Sequence, residues 1–197
     1  MSTTTGSVSD RSLLRFAEEV KEHFLFLEAL GFRCVRSEVT FVRFESPRVS
    51  INLYHGRQSF EIGLEIESVP SLENAYSFSE ILRLVDRKLG EHYRNYATHT
   101  PRGVAEGVGQ LAELFQRCIA ADILNDTQLF SRLKFQREVL SKNYALETQL
   151  EQARRKSEAA WRKKDYAAVI KALKPFSADL TVTEVGKLKF AEKQCGR

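Results

Sequence analysis

The chain has 197 residues, 43% hydrophobic and 28% charged, with a formal net charge of +4; this balance is ordinary for a folded globule and excludes a low-complexity or fibrous chain. No run approaches the ~18 consecutive apolar residues of a membrane span, and Met1 to Ser9 is Ser/Thr-rich without an apolar stretch, so a disordered tail is expected at 1–9 and no signal peptide. Cys34, Cys118 and Cys195 are odd in number and form neither a CxxC pair nor a zinc spacing, which predicts free thiols in a cytoplasmic protein.

Asp10 can cap a helix running to about Leu30, with Leu13, Phe16, Val20, Phe24 and Leu27 at helical spacing and Gly31 just past its end. Phe32 to Arg36 reads as a first, poorer strand. Val39 to Glu67 is a β-meander around which the chain is organised. Arg48 to Tyr54 alternates with Val49, Ile51 and Leu53 inward, and Phe60 to Glu67 alternates with every even position apolar. Thr40 to Glu45 alternates less cleanly, with Val42 and Phe44 inward. Ser46-Pro47 and His55 to Ser59 supply the turns, so consecutive strands are expected to be antiparallel neighbours. The first helix is the expected cover of the apolar face. The opposite face carries Arg43, Asn52, Tyr54, Glu61 and Glu65.

Beyond Val69-Pro70-Ser71, Ser77 or Ser79 starts a helix predicted to continue through Leu89, followed by a polar stretch without clear periodicity. Thr100-Pro101 is a helix start, with Val104, Val108, Leu111, Phe115, Cys118 and Ile119 along one face. Asn125-Asp126 ends that helix. The next pattern runs from Thr127 past Ala160 with no Gly or Pro and spans ~50 Å if unbroken. Its seam of Val139, Leu146, Leu150, Ala153 and Ala160 is diluted by Asn143 and Ser157. Packing within the chain is the expected use of that seam, with a homodimeric coiled coil as the alternative.

Residues 151–197 carry twelve Lys or Arg against six acids, a net of +6 that leaves −2 for residues 1–150. Trp161, Tyr166, Val169 and Leu173 have the spacing of a tetratricopeptide-type helical hairpin, and Thr181 to Glu184 is a capping box opening a further helix. A single such hairpin forms no solenoid groove, because these repeats bury their faces against neighbours. The predicted organisation is a tail at 1–9, an α+β domain at 10–145 and a basic helical hairpin module at 146–197. The fold class is α+β: an N-terminal helix on a 3–4-stranded antiparallel meander, then an all-helical half.

This order, with Phe44-Glu45-Ser46 at a turn, Phe60-Glu61-Ile62 on the last strand and Tyr76-Ser77-Phe78 at a helix start, resembles small uncharacterised bacterial α+β proteins of toxin-immunity and defence loci. The resemblance implies a protein that binds and neutralises, or scaffolds, a partner protein. It carries over no functional residues.

The chemistry-bearing residues complete no catalytic constellation. His23, His55, His92 and His99 form no HExxH and no His/Cys cluster. His92 and His99 share the most site-like loop with Tyr93, Arg94, Tyr96 and Arg102, which reads as a solvated connector. Glu61 and Glu65 flank Gly63 on one strand face, the placing of a metal or acid–base pair, but the strand offers no Lys partner of the nuclease kind. Gly103, Gly107 and Gly109 lack the ending of a phosphate loop. No enzyme activity, cofactor or metal is therefore expected. The expected function is non-enzymatic protein binding through Arg43, Asn52, Tyr54, Glu61 and Glu65. The alternative is a nucleic-acid-associated accessory protein using Arg154, Arg155, Lys156, Arg162, Lys163 and Lys164 on phosphates or an acidic partner.

Overall fold

The computed structural model describes residues 11–69, 71, 74–120 and 122–196, so the expected tail at 1–9 lies outside the described residues. The chain forms two compact units, Met1–Gln136 and Arg137–Arg197. This boundary falls upstream of the 145/146 division read from the sequence, inside a helix that has no Gly or Pro to mark it.

In the first unit, β1 (Arg33–Glu38), β2 (Phe41–Glu45), β3 (Val49–His55) and β4 (Glu61–Ser68) form an antiparallel sheet in chain order. Two short strands, β5 (Tyr76–Ser77) and β6 (Tyr96–Ala97), pair with opposite ends of β4 and close its outer edge. Two residues are too few to show a period of two, so neither strand was legible in the sequence. Leu53 stands between Val42 and Leu64, and Ile51 between Phe44 and Ile66. These six side chains and Ile62 are at most 2% exposed, as the alternation requires when one face is buried. Strand β1 is the other edge. It is exposed along its length and its register shifts between Cys34 and Arg36, which accounts for its poorer pattern.

The expected helix from Asp10 to Leu30 is broken into a 3₁₀ turn at Arg11–Leu14, α1 (Phe16–His23) and α2 (Phe26–Ala29). Arg15 adopts a left-handed conformation at φ 55° between the first two. The break turns Leu14 inward and leaves Leu13 69% exposed; burial here overrides the helical spacing. Gly31 ends the segment at φ 82°, as expected of a residue past a helix. α5 (Pro101–Ala120) packs against α1 and β4, with the ring centroids of Phe24 and Phe115 6.2 Å apart. Thr100 Oγ1 accepts the Gly103 N–H at 3.1 Å and starts this helix. Phe24 and Ile62 belong to one core.

The helix predicted through Leu89 is two helices, α3 (Phe78–Val85) and α4 (Arg87–His92). Ser77 and Glu80 form a capping box on α3. Asp86, in extended conformation, ends α3 and caps α4 by accepting the Leu89 N–H at 3.0 Å. An Asp at a turn competes with the helix for backbone hydrogen bonds, and here it wins.

α6 (Leu129–Arg162) has 34 residues, which corresponds to ~51 Å of helix. Within the second unit, α7 (Tyr166–Leu173) and α8 (Val182–Cys195) complete a small core of Ala160, Val169, Leu173, Leu188 and Ala191. Leu150, Ala153, Ser157 and Ala160 are each no more than 8% exposed, so Ser157 lies in the packed seam, whereas Val139 and Leu146 are 38% exposed. Trp161, Tyr166 and Phe190 meet edge to face at centroid distances of 5.5 to 5.9 Å. Asp165 caps α7 and Thr181 with Glu184 forms the expected capping box on α8. The chain is thus α+β, an N-terminal helical segment and an antiparallel sheet followed by helices.

Candidate partner-binding face

The polar sheet face is built from cross-strand rows. Arg43, Asn52 and Glu65 stand opposite one another across β2, β3 and β4; Glu45, Ser50 and Glu67 form the next row, and Phe41, Tyr54 and Gly63 the row on the other side. Period two therefore brings Arg43, Asn52, Tyr54 and Glu65 together, while Glu61 stands at the start of β4 opposite Ala97 of β6.

Arg43 bridges the outer row. Its guanidinium reaches Glu45 at 3.3 Å and Glu67 at 3.1 Å, and Ser50 Oγ donates to the same Glu67 at 3.3 Å. The central residues of these rows are hidden: Ser50 is fully buried and Asn52 is 5% exposed. Asn52 Oδ1 has no hydrogen-bond partner among the described residues, an unmet acceptor in a charged row. Arg36 of β1 lies over the Phe41 ring at 4.9 Å.

Tyr54 leans across the strand onto Gly63. A Cβ built on Gly63 would lie 2.2 Å from Tyr54 Cζ, so the phenol occupies the space a side chain would take. Burial, followed by the charge of Glu65, pushes the Tyr54 phenol above its ordinary value; the Asn95 side chain, which hydrogen-bonds it, opposes this, and the charge of Glu61 adds to it. Burial, with Tyr54 adding to it, pushes the neighbouring Tyr93 up to about 12. Tyr54 is half-buried and Glu61 is exposed. Glu61, Glu65 and Asn95, which act on the Tyr54 phenol, and Gly63 beneath its ring all precede α5.

Glu61 and Glu65 share a face but are four residues apart on one strand, roughly 13 Å between Cα atoms. Among the described residues no three His, Cys, Asp or Glu side chains gather as a metal site. His92 is exposed and its Nδ1 donates to the Lys88 carbonyl at 2.8 Å, whereas His99 packs edge-on against Phe60. The loop that joins them in sequence does not bring them to one centre.

In the second unit the basic residues are distributed among acids. Arg154 holds Glu184 at 2.6 Å, and that hydrogen bond is the main cause of the Glu184 carboxyl falling to about 2. Arg155 pairs with Glu151, and Arg162 reaches Glu158 at 3.7 Å. Lys187 also holds Glu158, at 2.7 Å. Lys156, Lys163 and Lys164 are exposed. The groove lined by Arg154, Arg155, Arg162, Lys187, Glu158 and Glu184 thus carries both signs. Net charge along the sequence could not reveal pairings between residues about thirty positions apart.

Sequence reasoning missed Glu67, Ser50 and Asn95 on the sheet face. Glu67 had a signal, since it lies two residues beyond Glu65 on the same side of β4; Asn95 had none, because the segment that brings it there has no periodicity. The arrangement defines an α+β unit with a polar sheet face, joined in sequence to a helical unit. No protein-family model, curated protein or solved structure matches the chain.

Proposed function

We propose that this chain is a non-enzymatic protein-binding protein, an immunity or defence-associated factor, whose polar sheet face receives a partner protein. The observation that carries this reading is the composition of the face: Tyr54, half-exposed over Gly63, beside exposed Glu61 and the bridged Arg43. Tyr and Arg are the residue types that anchor interface hot spots. Their side chains are already held by Asn95, Glu45 and Glu67, so little rotamer freedom remains to be lost on binding. The carboxylates favour a basic partner and speed its capture.

The test is co-purification with the product of an adjacent gene, co-expressed and washed at high salt. Retention by the native chain, together with loss in Tyr54→Ala and Glu61→Lys at an unchanged melting temperature, is the expected result. Equal retention by both variants would remove the sheet face from the interaction. Capture of a polyanion that weakens steeply with salt, and that fails on changing Lys156, Lys163 and Lys164 to Gln, would instead favour a nucleic-acid role.

A further inference from the structure

His55 ends β3 and is 2% exposed, yet each ring nitrogen has a polar neighbour. Nε2 lies 2.9 Å from the Thr98 carbonyl and 3.1 Å from the Phe60 carbonyl. Both are acceptors only, so Nε2 carries the hydrogen. Nδ1 lies 3.2 Å from Arg11 Nη1. A guanidinium only donates, so Nδ1 must present its lone pair. The neutral Nε2–H ring satisfies every one of these contacts; the imidazolium would point an N–H at a cation.

Arg11 is itself spent on this corner. Its Nη2 donates to the Gly56 carbonyl at 3.1 Å and to the Arg57 carbonyl, and its guanidinium sits 4.2 Å from the Phe60 ring centroid. Phe16 of α1 stacks on the His55 ring at 5.7 Å and Phe60 meets it edge-on at 5.9 Å. His99 meets this cluster through Phe60, edge-on at 6.2 Å. Among the described residues, Arg11 is the charged group that faces the ring. One side chain on the N-terminal turn is thereby tied to the β3–β4 turn, and the imidazole joins both to the loop before α5.

We propose that His55 is an acid-sensitive latch: protonation of its buried ring expels Arg11 and frees the N-terminal turn Arg11–Leu14 from the end of the sheet. This inference is independent of the partner-binding reading. Burial depresses the ring pKa below its ordinary value; the Thr98 carbonyl opposes this, Arg11 adds to it and the Phe60 carbonyl opposes it. The fold then binds fewer protons than the unfolded chain. The latch's contribution is complete above the ordinary His value of about 6.5 and is lost as pH falls from there through the lower folded value.

The experiment uses the full chain. Ring nitrogen NMR at about pH 8 should show the Nε2–H tautomer of His55. Amide exchange, corrected for intrinsic rates, should accelerate by about tenfold at Leu14 and Arg15 on moving to about pH 5, while amides from Val108 to Phe115 keep their protection. His55→Gln retains a donor toward the two carbonyls and cannot titrate, so its exchange at Leu14 and Arg15 should be flat across that range. Should that variant fail to fold, Arg11→Gln serves: the turn should exchange rapidly at both pH values, and the His55 ring should titrate higher. An Nδ1–H tautomer, pH-independent protection of the turn in the native chain, or an unchanged acid step in either variant would overturn the latch.

Discussion

The two faces of β2, β3 and β4 use the same backbone to opposite ends. On the inner face Val42, Phe44, Ile51, Leu53, Ile62, Leu64 and Ile66 are sealed under α1 and α5. On the outer face the central residues are equally hidden, with Ser50 fully buried and Asn52 at 5%, but they stand among charged neighbours, Arg43 being paired with Glu45 and Glu67. Apolar side chains line one side, whereas an ion-paired polar row lines the other. Burial alone therefore does not separate a core from a surface; the chemistry of the neighbouring side chains does.

That contrast is broken most directly at the core. Phe24→Ala and Ile62→Ala each remove a fully covered apolar side chain and should cost about 2–5 kcal/mol in chemical denaturation. Tyr54→Ala and Glu61→Lys should leave the midpoint near the native value. Near-neutral core variants would show that the inner face is not what holds the sheet. Gly63→Ala is the intermediate case. Its Cβ would meet Tyr54 Cζ at 2.2 Å, and overpacking of this kind costs about 1–3 kcal/mol. The ring is on the outer face, so it can swing off, and the cost should fall in Gly63→Ala/Tyr54→Ala. An undiminished cost in the double variant would mean that the backbone, not the phenol, resists the methyl.

A smaller effect is expected at Arg43. Its side chain is 19% exposed and bridges two carboxylates. Arg43→Gln should cost roughly 0.5 kcal/mol, the scale of partly solvated ion pairs, and the loss should shrink as salt is added. A loss of several kcal/mol would place this row among buried networks and would count against a surface open to a partner.

Much of this contrast was legible in the sequence. Val49, Ile51 and Leu53 alternating with Ser50, Asn52 and Tyr54 define both faces, and Thr100-Pro101 with the stripe from Val104 to Cys118 defines α5. Alternation says which side a residue is on, but not what crosses it. Asn95 reaches Tyr54 from a loop, and β5 and β6 are two residues each, too short for any period. Leu13 and Phe16 fit one continuous helical stripe, but the structure buries Leu14 with Phe16 and leaves Leu13 out, with Arg11 fixed on Gly56, Arg57 and His55. Such a tertiary tie leaves no mark in local periodicity. The same holds for Arg154 with Glu184 and Lys187 with Glu158, which turn an apparent basic stripe into a mixed surface.

The smallest effect belongs to that surface. Arg155 and Arg162 are exposed and pair one helical turn back, with Glu151 and Glu158. Exposed pairs at this spacing are screened by water and salt and hold two long side chains in place for little gain. Arg155→Gln and Arg162→Gln should therefore leave thermal unfolding unchanged, in contrast to Arg43→Gln on the sheet. Each variant removes a positive charge, leaving Glu151 without its Arg155 partner while Glu158 keeps Lys187, so any affinity of the second unit for polyanions should fall. The comparison is run by measuring unfolding and polyanion binding for both variants at low and high salt. Unchanged unfolding with weakened binding would show the charges to be functional; a clear loss of stability at high salt would show instead that these arginines pack through their aliphatic stems.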